Sequence, residues 1–247
     1  MSSDAVVDAL GFMSKWEGEA YTFEDYDAFP TYDKNQVFLV DSPSAVQSVV
    51  YIVKRSLPFD ATGDYFKSRL VNFPLGGGFN SRINLNLRED KGITYGANSA
   101  FMGGKTLGWF EVGTDLTAAN TAQGITEVFK EINQYIDNGA TDEEIQFMRN
   151  AFTLSDALEF ETPNSKARFL RQLQSYGLEK GYRNEQVEII NSISKDEINA
   201  LAKQYLSTDA LQVIVVGDKD AILEQLESLN MPIIELSVDT NSREKIN

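Results

Sequence analysis

The spacing of apolar residues switches between two and about three and a half along this chain, and each switch marks an element. Near the start, Val7, Leu10, Phe12 and Met13 fall on one side of a short amphipathic helix over 4–17. EGEAYTFEDYDAFPTYDK, Glu17 to Lys34, has no period and is punctuated by Pro30, so it reads as a linker. VFLVD and VQSVVYIVKRSL are β-branched and aromatic and read as two strands split by the turn SPSA. A helix follows over Gly63–Phe73, with Tyr65, Phe66, Leu70 and Phe73 on one face. TYGANSAFM and GWFEVGTDL form a hairpin around GGKT, with Gly103 and Gly104 in the turn.

The second half reads as mostly helical. Thr117 can cap a helix that stops at Asn138–Gly139. TDEE (141–144) and SKDE (194–197) have the Ser/Thr and Glu of capping boxes, and Pro163 opens a further helix at its first turn. The helix after TDEE carries Ile145, Met148 and Phe152, then Ser155 and Asp156; the one after SKDE runs through Tyr205. LQVIVVG is a buried type of strand, Lys219–Leu229 a helix and PIIEL a last strand. Adjacent strands in pairs suggest hairpins. The expected class is α+β, a largely antiparallel sheet of about five to six strands with helices packed on one face. The expected division is a helical segment and linker over 1–35, one domain over 36–236 and a polar tail over 237–247.

Composition narrows the chemistry. The chain has 247 residues, 37 acidic against 22 basic, and a net charge of −15. Such a surface repels phosphate backbones, so a nucleic-acid partner is not expected. No apolar run approaches the ~20 residues of a membrane span. The N-terminus MSSDAVVDALGFMSKW lacks the basic start and long apolar run of a secretory signal, so the expectation is a cytoplasmic chain or a piece of something longer. There is no cysteine and no histidine. That removes thiol nucleophiles, the Ser-His-Asp triad and every histidine-based zinc or iron site. No paired-acid motif supports an independent hydrolase built on carboxylates.

The densest chemistry lies in LGGGFNSRINLNLREDKGITYG, Leu75–Gly96. GGGFNSR matches neither nucleotide-binding glycine pattern and follows a helix ending at Pro74, which disfavours a phosphate cradle. Gly76–Gly78 read as a tight connection before an N-cap at Asn80 or Ser81. In RINLNLRED, Ile83, Leu85 and Leu87 alternate as in a strand, whereas Phe79, Ile83 and Leu87 recur as in a helix. Asparagine is a poor strand former and Lys91–Gly92 a good helix stop, so the expectation is a helix over 79–90 with Arg88 in its last turn. From the residues alone, Arg88 is a cation at a helix C-terminus and Tyr95 an aromatic at a strand start.

Taken together, these residues resemble the signature of the C-terminal-type domain of the pitrilysin/insulinase zinc metallopeptidase family. The resemblance rests on Gly76–Gly78, Ser81–Arg82–Ile83, Leu87–Arg88–Glu89, Lys91–Gly92 and Tyr95, and on VDSPSAVQSVV, GATDEEI and VVGDKDAILEQLESL around them. It covers roughly 36–236. It implies a domain that binds no metal and pairs, in cis or in trans, with a zinc-bearing domain carrying H-x-x-E-H, the two closing on a peptide substrate. Arg88 and Tyr95 would reach that active site as accessory residues for substrate and transition state, while Ser81 and Arg82 hold the helix. Extended substrates could add to an exposed strand edge. The alternative implied by the family is an inactive scaffold subunit, and a parent exported to a bacterial periplasm is compatible with either.

Overall fold

In the computed structural model, residues 2–15, 17–18, 30–158 and 162–237 are described. The chain divides into two compact units, Met1–Pro30 and Thr31–Asn247. The first holds helix α1 (Ser3–Ala9), capped by the Ser2 hydroxyl, and a 3-10 turn over Gly11–Lys15. Val7, Leu10, Phe12 and Met13 are all exposed there. The linker reading of 17–34 and the polar tail of 237–247 fall largely outside the described residues.

The second unit is built on one six-stranded sheet. Its elements are β1 (Gln36–Asp41), β2 (Gln47–Ser56), α2 (Asp64–Asn72), α3 (Arg82–Asn84), β3 (Thr94–Gly103), β4 (Gly108–Thr117), α4 (Thr121–Asn138), α5 (Asp142–Leu158), α6 (Pro163–Tyr176), α7 (Tyr182–Ser192), α8 (Lys195–Tyr205), β5 (Gln212–Gly217), α9 (Lys219–Glu227) and β6 (Ile233–Leu236). The spatial order is β3-β4-β2-β5-β1-β6. β3–β4, β4–β2 and β2–β5 pair antiparallel, and β1 pairs parallel with both β5 and β6. The sheet is thus mostly antiparallel, and the class is α+β. The hairpin expected from the first two strands does not form. β5, the most uniformly apolar strand, lies between β2 and β1, pairing antiparallel with the first and parallel with the second.

Alternation along the strands sends one set of side chains under the helices. Val37, Leu39, Val50, Ile52, Phe110, Val112, Leu116, Val213 and Val215 are buried, joined by Leu70, Leu75, Ile83, Leu87, Ile125, Ile132 and Met148 from the helical layer. The opposite sheet face keeps Val49, Tyr51 and Met102 exposed.

Local chemistry sets most ends. The Thr141 hydroxyl accepts from the Glu144 N–H at 3.2 Å and Glu144 Oε2 accepts from the Thr141 N–H at 2.7 Å, a complete capping box. Ser194 accepts from the Glu197 N–H, but the Glu197 carboxylate turns to Lys67 at 2.7 Å, so only half of that box forms. Thr117 is not a cap: its hydroxyl accepts from the Asn120 side chain, a 3-10 turn intervenes, and α4 starts at Thr121. Gly139, with φ +73°, ends α4.

Candidate functional site

The glycine run follows α2 as a single wide helical turn over Phe73–Gly77. None of Gly76–Gly78 has a positive φ, so conformational freedom is not what selects glycine there. Close approach is. A β-carbon on Gly76 would lie 2.1 Å from Ser99 Oγ and 2.7 Å from the Ser99 nitrogen. The turn therefore presses directly on β3.

The RINLNLRED segment is helical, as its four-residue repeat predicts, but it begins later than residue 79. α3 starts at Arg82 and widens into a π-helical stretch over Leu85–Asp90. Ile83 and Leu87 are buried. Phe79 is not on that face: it precedes the helix, is 66% exposed, and covers Arg88, whose guanidinium carbon lies 4.5 Å from the ring centroid. Ser81 occupies the N-cap position, yet its buried hydroxyl makes no hydrogen bond. Gly92, at φ +64°, ends the segment.

Arg82 holds this segment in place. Its Nε and Nη2 donate to the two oxygens of Glu144 at 2.6 and 2.7 Å, and Nη2 also donates to the Gly139 carbonyl at 2.9 Å. The guanidinium lies 4.8 Å over the Tyr135 ring. The hydrogen bonds to Glu144 raise the Arg82 pKa further, and burial pushes the Tyr135 phenol up. Glu144 is thereby both the capping-box acid of α5 and the anchor of the glycine motif.

Arg88 and Tyr95 present two different kinds of free donor. The Arg88 side chain is 34% exposed, with Nε 3.5 Å from Glu89 Oε1; its Nη1 is buried and has no hydrogen-bond partner. Tyr95 is 91% exposed. It sits at the apex of an irregularity in β3, where pairing with β4 lapses between Thr94 and Ala97. Thr94 makes that apex. Its hydroxyl accepts from the Gly96 N–H at 3.1 Å, donates to the Gly96 carbonyl at 2.9 Å, and accepts from Thr114 Oγ1 at 3.0 Å. The loop closed by Thr94 and Gly96 pushes Tyr95 outward.

Gly76–Gly78, Phe79, Asn84, Tyr95 and Gly96–Asn98 line one open cleft of about 410 Å³. Arg88 does not line it directly; Phe79 connects the two, packed on Arg88 and bordering the cleft with Tyr95. Asn84 fixes the geometry. Its Nδ2 donates to the Phe79 carbonyl at 2.6 Å and its Oδ1 accepts from the Ala97 N–H at 2.9 Å, joining the Arg88 helix to the Tyr95 strand. Sequence reasoning passes over Asn84; the available signal is a polar residue in the middle of a segment that buries Ile83 and Leu87. A larger cavity of about 700 Å³ lies among α2, α5, α6 and α7 and includes neither Arg88 nor Tyr95.

The outer edge of β3 is already occupied. Asn84 accepts from Ala97, Asn72 donates to the Ser99 carbonyl at 2.7 Å, and Tyr65 donates to the Phe101 carbonyl at 3.2 Å. An extended peptide cannot add along that stretch as a further strand. Among the described residues, no group of three or more potential metal ligands comes together, and no helix is long and apolar enough to cross a membrane. With no histidine or cysteine in the sequence, the donor set of an H-x-x-E-H zinc site is missing from this chain.

Comparison with known proteins bears on the same residues. Over 217 residues the chain is 28% identical to the "Non-peptidase homolog YmxG" of Helicobacter pylori, covering 85% of this chain and 48% of that protein. It thus spans about half the length of that curated relative. The fold is similar to the crystal structure of a peptidase M16 inactive domain from Pseudomonas fluorescens, with TM-score 0.75, 22% identity and coverage of 88% of this chain and 52% of that one. It is also similar to the crystal structure of a protease from Helicobacter pylori, with TM-score 0.74, 14% identity and coverage of 88% and 53%. The sequence profile of the family described as "Peptidase M16 inactive domain" matches residues 5–152, more than half of the chain and including the whole glycine motif, Arg88 and Tyr95. The chain belongs to the peptidase M16 inactive-domain family, the zinc-free class of domain in the pitrilysin/insulinase peptidases.

Proposed function

We propose that residues 36–236 are the domain that closes over a peptide held by a zinc-bearing partner domain, in cis or in trans, and that Arg88 and Tyr95 reach the partner's active site. The observation that carries this reading is the pair of unsatisfied donors. Tyr95 is almost fully exposed on a strand apex, and Arg88 keeps a buried Nη1 without an acceptor, in the segment that Asn84 joins to that strand. A buried cationic donor without a partner is costly, and an incoming carbonyl or carboxylate would relieve that cost.

Zinc bound in the partner would supply an activated water for attack on the scissile carbonyl. The Tyr95 hydroxyl would donate to the oxygen on which negative charge grows. Its exposure suits that role. In the isolated domain the phenol packs on little, and it becomes enclosed only when the two domains close. Arg88 would orient the peptide backbone through Nη1, with Phe79 moving aside or packing on the substrate. The glycine cleft beside Tyr95 leaves room for a backbone to approach.

The test is Tyr95→Phe in the assembly with the zinc-bearing partner. Turnover should fall about 10²–10³-fold, the usual loss for one oxyanion donor. The melting temperature should not move, because Tyr95 is exposed. Full activity of the variant refutes the assignment. A second reading is favoured by one specific observation, the name of the curated relative as a non-peptidase homolog. On that reading the domain is an inactive scaffold subunit. It predicts that the purified assembly contains no zinc and cleaves no peptide, and a stoichiometric zinc content would exclude it.

A further inference from the structure

The cavity of about 700 Å³ among α2, α5, α6 and α7 includes neither Arg88 nor Tyr95. Protein interiors leave few voids larger than a water molecule, so a space of this size between four helices is one that packing has not closed. Its volume lies in the range of small-molecule sites. Tyr65 and Phe66 of α2 line it and are buried, and the half-buried rings of Phe59 and Phe152 complete an aromatic lining.

The rings and the walls are held in place. Phe59 packs on Tyr65 with ring centroids 5.4 Å apart and on Tyr176 at 3.9 Å, and Phe152 meets Phe73 edge-on at 5.5 Å. Arg183 Nη1 donates to Gln186 Oε1 at 3.1 Å, and Gln186 Nε2 donates to the Ala61 carbonyl, so a buried amide ties α7 to the segment before α2. Arg183, Gln186, Val187 and Ile190 share the side of α7 that lines the cavity. That side is half polar, which is why α7 shows no clear apolar stripe.

Charge on the lining is uneven. Arg69, one turn beyond Tyr65 and Phe66 on α2, is exposed, and among the described residues its side chain has neither an ion pair nor a hydrogen bond. Asp60 is committed elsewhere: its Oδ1 accepts from the N–H groups of Thr62 and Gly63 at 3.1 and 2.9 Å, closing the turn into α2. A carboxylate in the same lining repels a multiply charged anion but leaves Arg69 free for a single one. Thr153 and Gln172 add neutral donors and acceptors. The last turn of α2 favours a cation at Arg69, but that does not account for four aromatic rings around the same space.

We propose that this cavity binds a small aromatic monocarboxylate, its ring system against Phe59, Tyr65, Phe66 and Phe152 and its carboxylate on the Arg69 guanidinium. Burial of apolar area supplies most of the affinity. Offset and edge-on ring contacts favour a flat aromatic body over a flexible chain, which would lose more rotational freedom on entering. The guanidinium fork matches a carboxylate in a bidentate pair and fixes the orientation of the ligand. The assignment does not depend on the zinc-bearing partner or on the role of Arg88 or Tyr95, which lie outside this cavity.

Calorimetric titration of the full chain with sodium biphenylcarboxylate tests it. Saturable one-to-one binding is expected, and saturating ligand should raise the melting temperature. Arg69→Gln should weaken binding roughly tenfold or more, the scale of losing a charge-assisted hydrogen bond, and the neutral analogue biphenylmethanol should bind the parent more weakly in the same direction. Val187→Trp, which adds an indole to the lining from an exposed position, should abolish binding, while Lys203→Gln on α8 should leave it unchanged. Thermal melts without ligand should show Arg69→Gln as stable as the parent, since the Arg69 side chain has no internal partner among the described residues. Absence of saturable binding at millimolar ligand, or equal binding by the parent and Arg69→Gln, overturns the proposal. Tighter binding of decanoate than of biphenylcarboxylate also overturns it, and would assign the cavity to an aliphatic chain.

Discussion

The sharpest consequence of this architecture concerns Gly76. Replacing glycine by alanine in a helical turn ordinarily stabilises by about 0.5–1 kcal/mol, because glycine has more freedom to lose. The backbone at Gly76 would accept alanine, since its φ is not positive. The neighbour forbids it. The new methyl would lie 2.1 Å from Ser99 Oγ, 2.7 Å from the Ser99 nitrogen and 2.8 Å from its Cβ. Rotating the Ser99 hydroxyl removes only the first clash and breaks its 2.6 Å hydrogen bond to Asn72 Oδ1. The other two require the turn and β3 to separate, which strains the 2.7 Å bond from Asn72 to the Ser99 carbonyl. Both residues are buried, so water cannot replace what is lost. Overpacking costs about 1–3 kcal/mol and each broken buried hydrogen bond about 1–3 more, so a net destabilisation of roughly 2–4 kcal/mol is expected for Gly76→Ala. For a chain of this size that corresponds to a fall in melting temperature of roughly 5–15 °C. Urea unfolding with an unchanged slope gives the free energy directly. Gly77→Ala is a milder comparison: its β-carbon would lie 3.3 Å from Asn72 Nδ2, so Asn72 need shift by only a few tenths of an ångström and a smaller loss is expected. A Gly76→Ala protein as stable as its parent would show that the turn does not press on β3.

Two other outcomes test the scaffold around the site. Arg82→Lys should destabilise by roughly 1.5–3 kcal/mol, since one ammonium cannot keep both oxygens of Glu144 and the Gly139 carbonyl. This loss should be constant across neutral pH, because the raised Arg82 pKa places any weakening far into alkali; a denaturation midpoint equal to the parent's would refute the clamp. Glu127 is only 14% exposed. Burial alone would raise its pKa, but hydrogen bonds from Asn86 and Lys130, with the charges of Lys130 and Lys91, outweigh it and hold the value below the ordinary 4.5. A lowered folded pKa stabilises above 4.5 and is lost as pH falls through it, so Glu127→Gln should flatten the acid side of the stability profile. Urea midpoints measured from about pH 6 down to about pH 3 would show it, and parallel curves for parent and variant would refute it.

Tyr95 and Arg88 stand out in the sequence only through the resemblance. Neither periodicity nor composition separates a substrate-facing tyrosine from an ordinary strand aromatic. What can be read locally is the chemistry of the peptide backbone. Thr141 and Glu144 specify a helix start because the bonds they make span three residues. Gly92 and Gly139 stop helices through their own left-handed φ. The α7 helix and the 3-10 turn after Thr117 escape such a reading, the first for want of a clear stripe and the second because Asn120 competes for the threonine hydroxyl.

By itself, then, the sequence determined most of the elements, the buried face of several of them and the absence of histidine-based chemistry, since each depends on residues a few positions apart or on composition alone. Tertiary structure decided which strands became neighbours. Alternation tells a strand which face is apolar but not which partner it has, so the insertion of β5 between β2 and β1 could not be read from either segment. Contact across the fold likewise decided that Gly76 is a close-approach glycine, that Phe79 covers Arg88 instead of joining the core, and that Asn84 joins two elements thirteen residues apart. Those are relations between surfaces brought together by folding, and no local period encodes them.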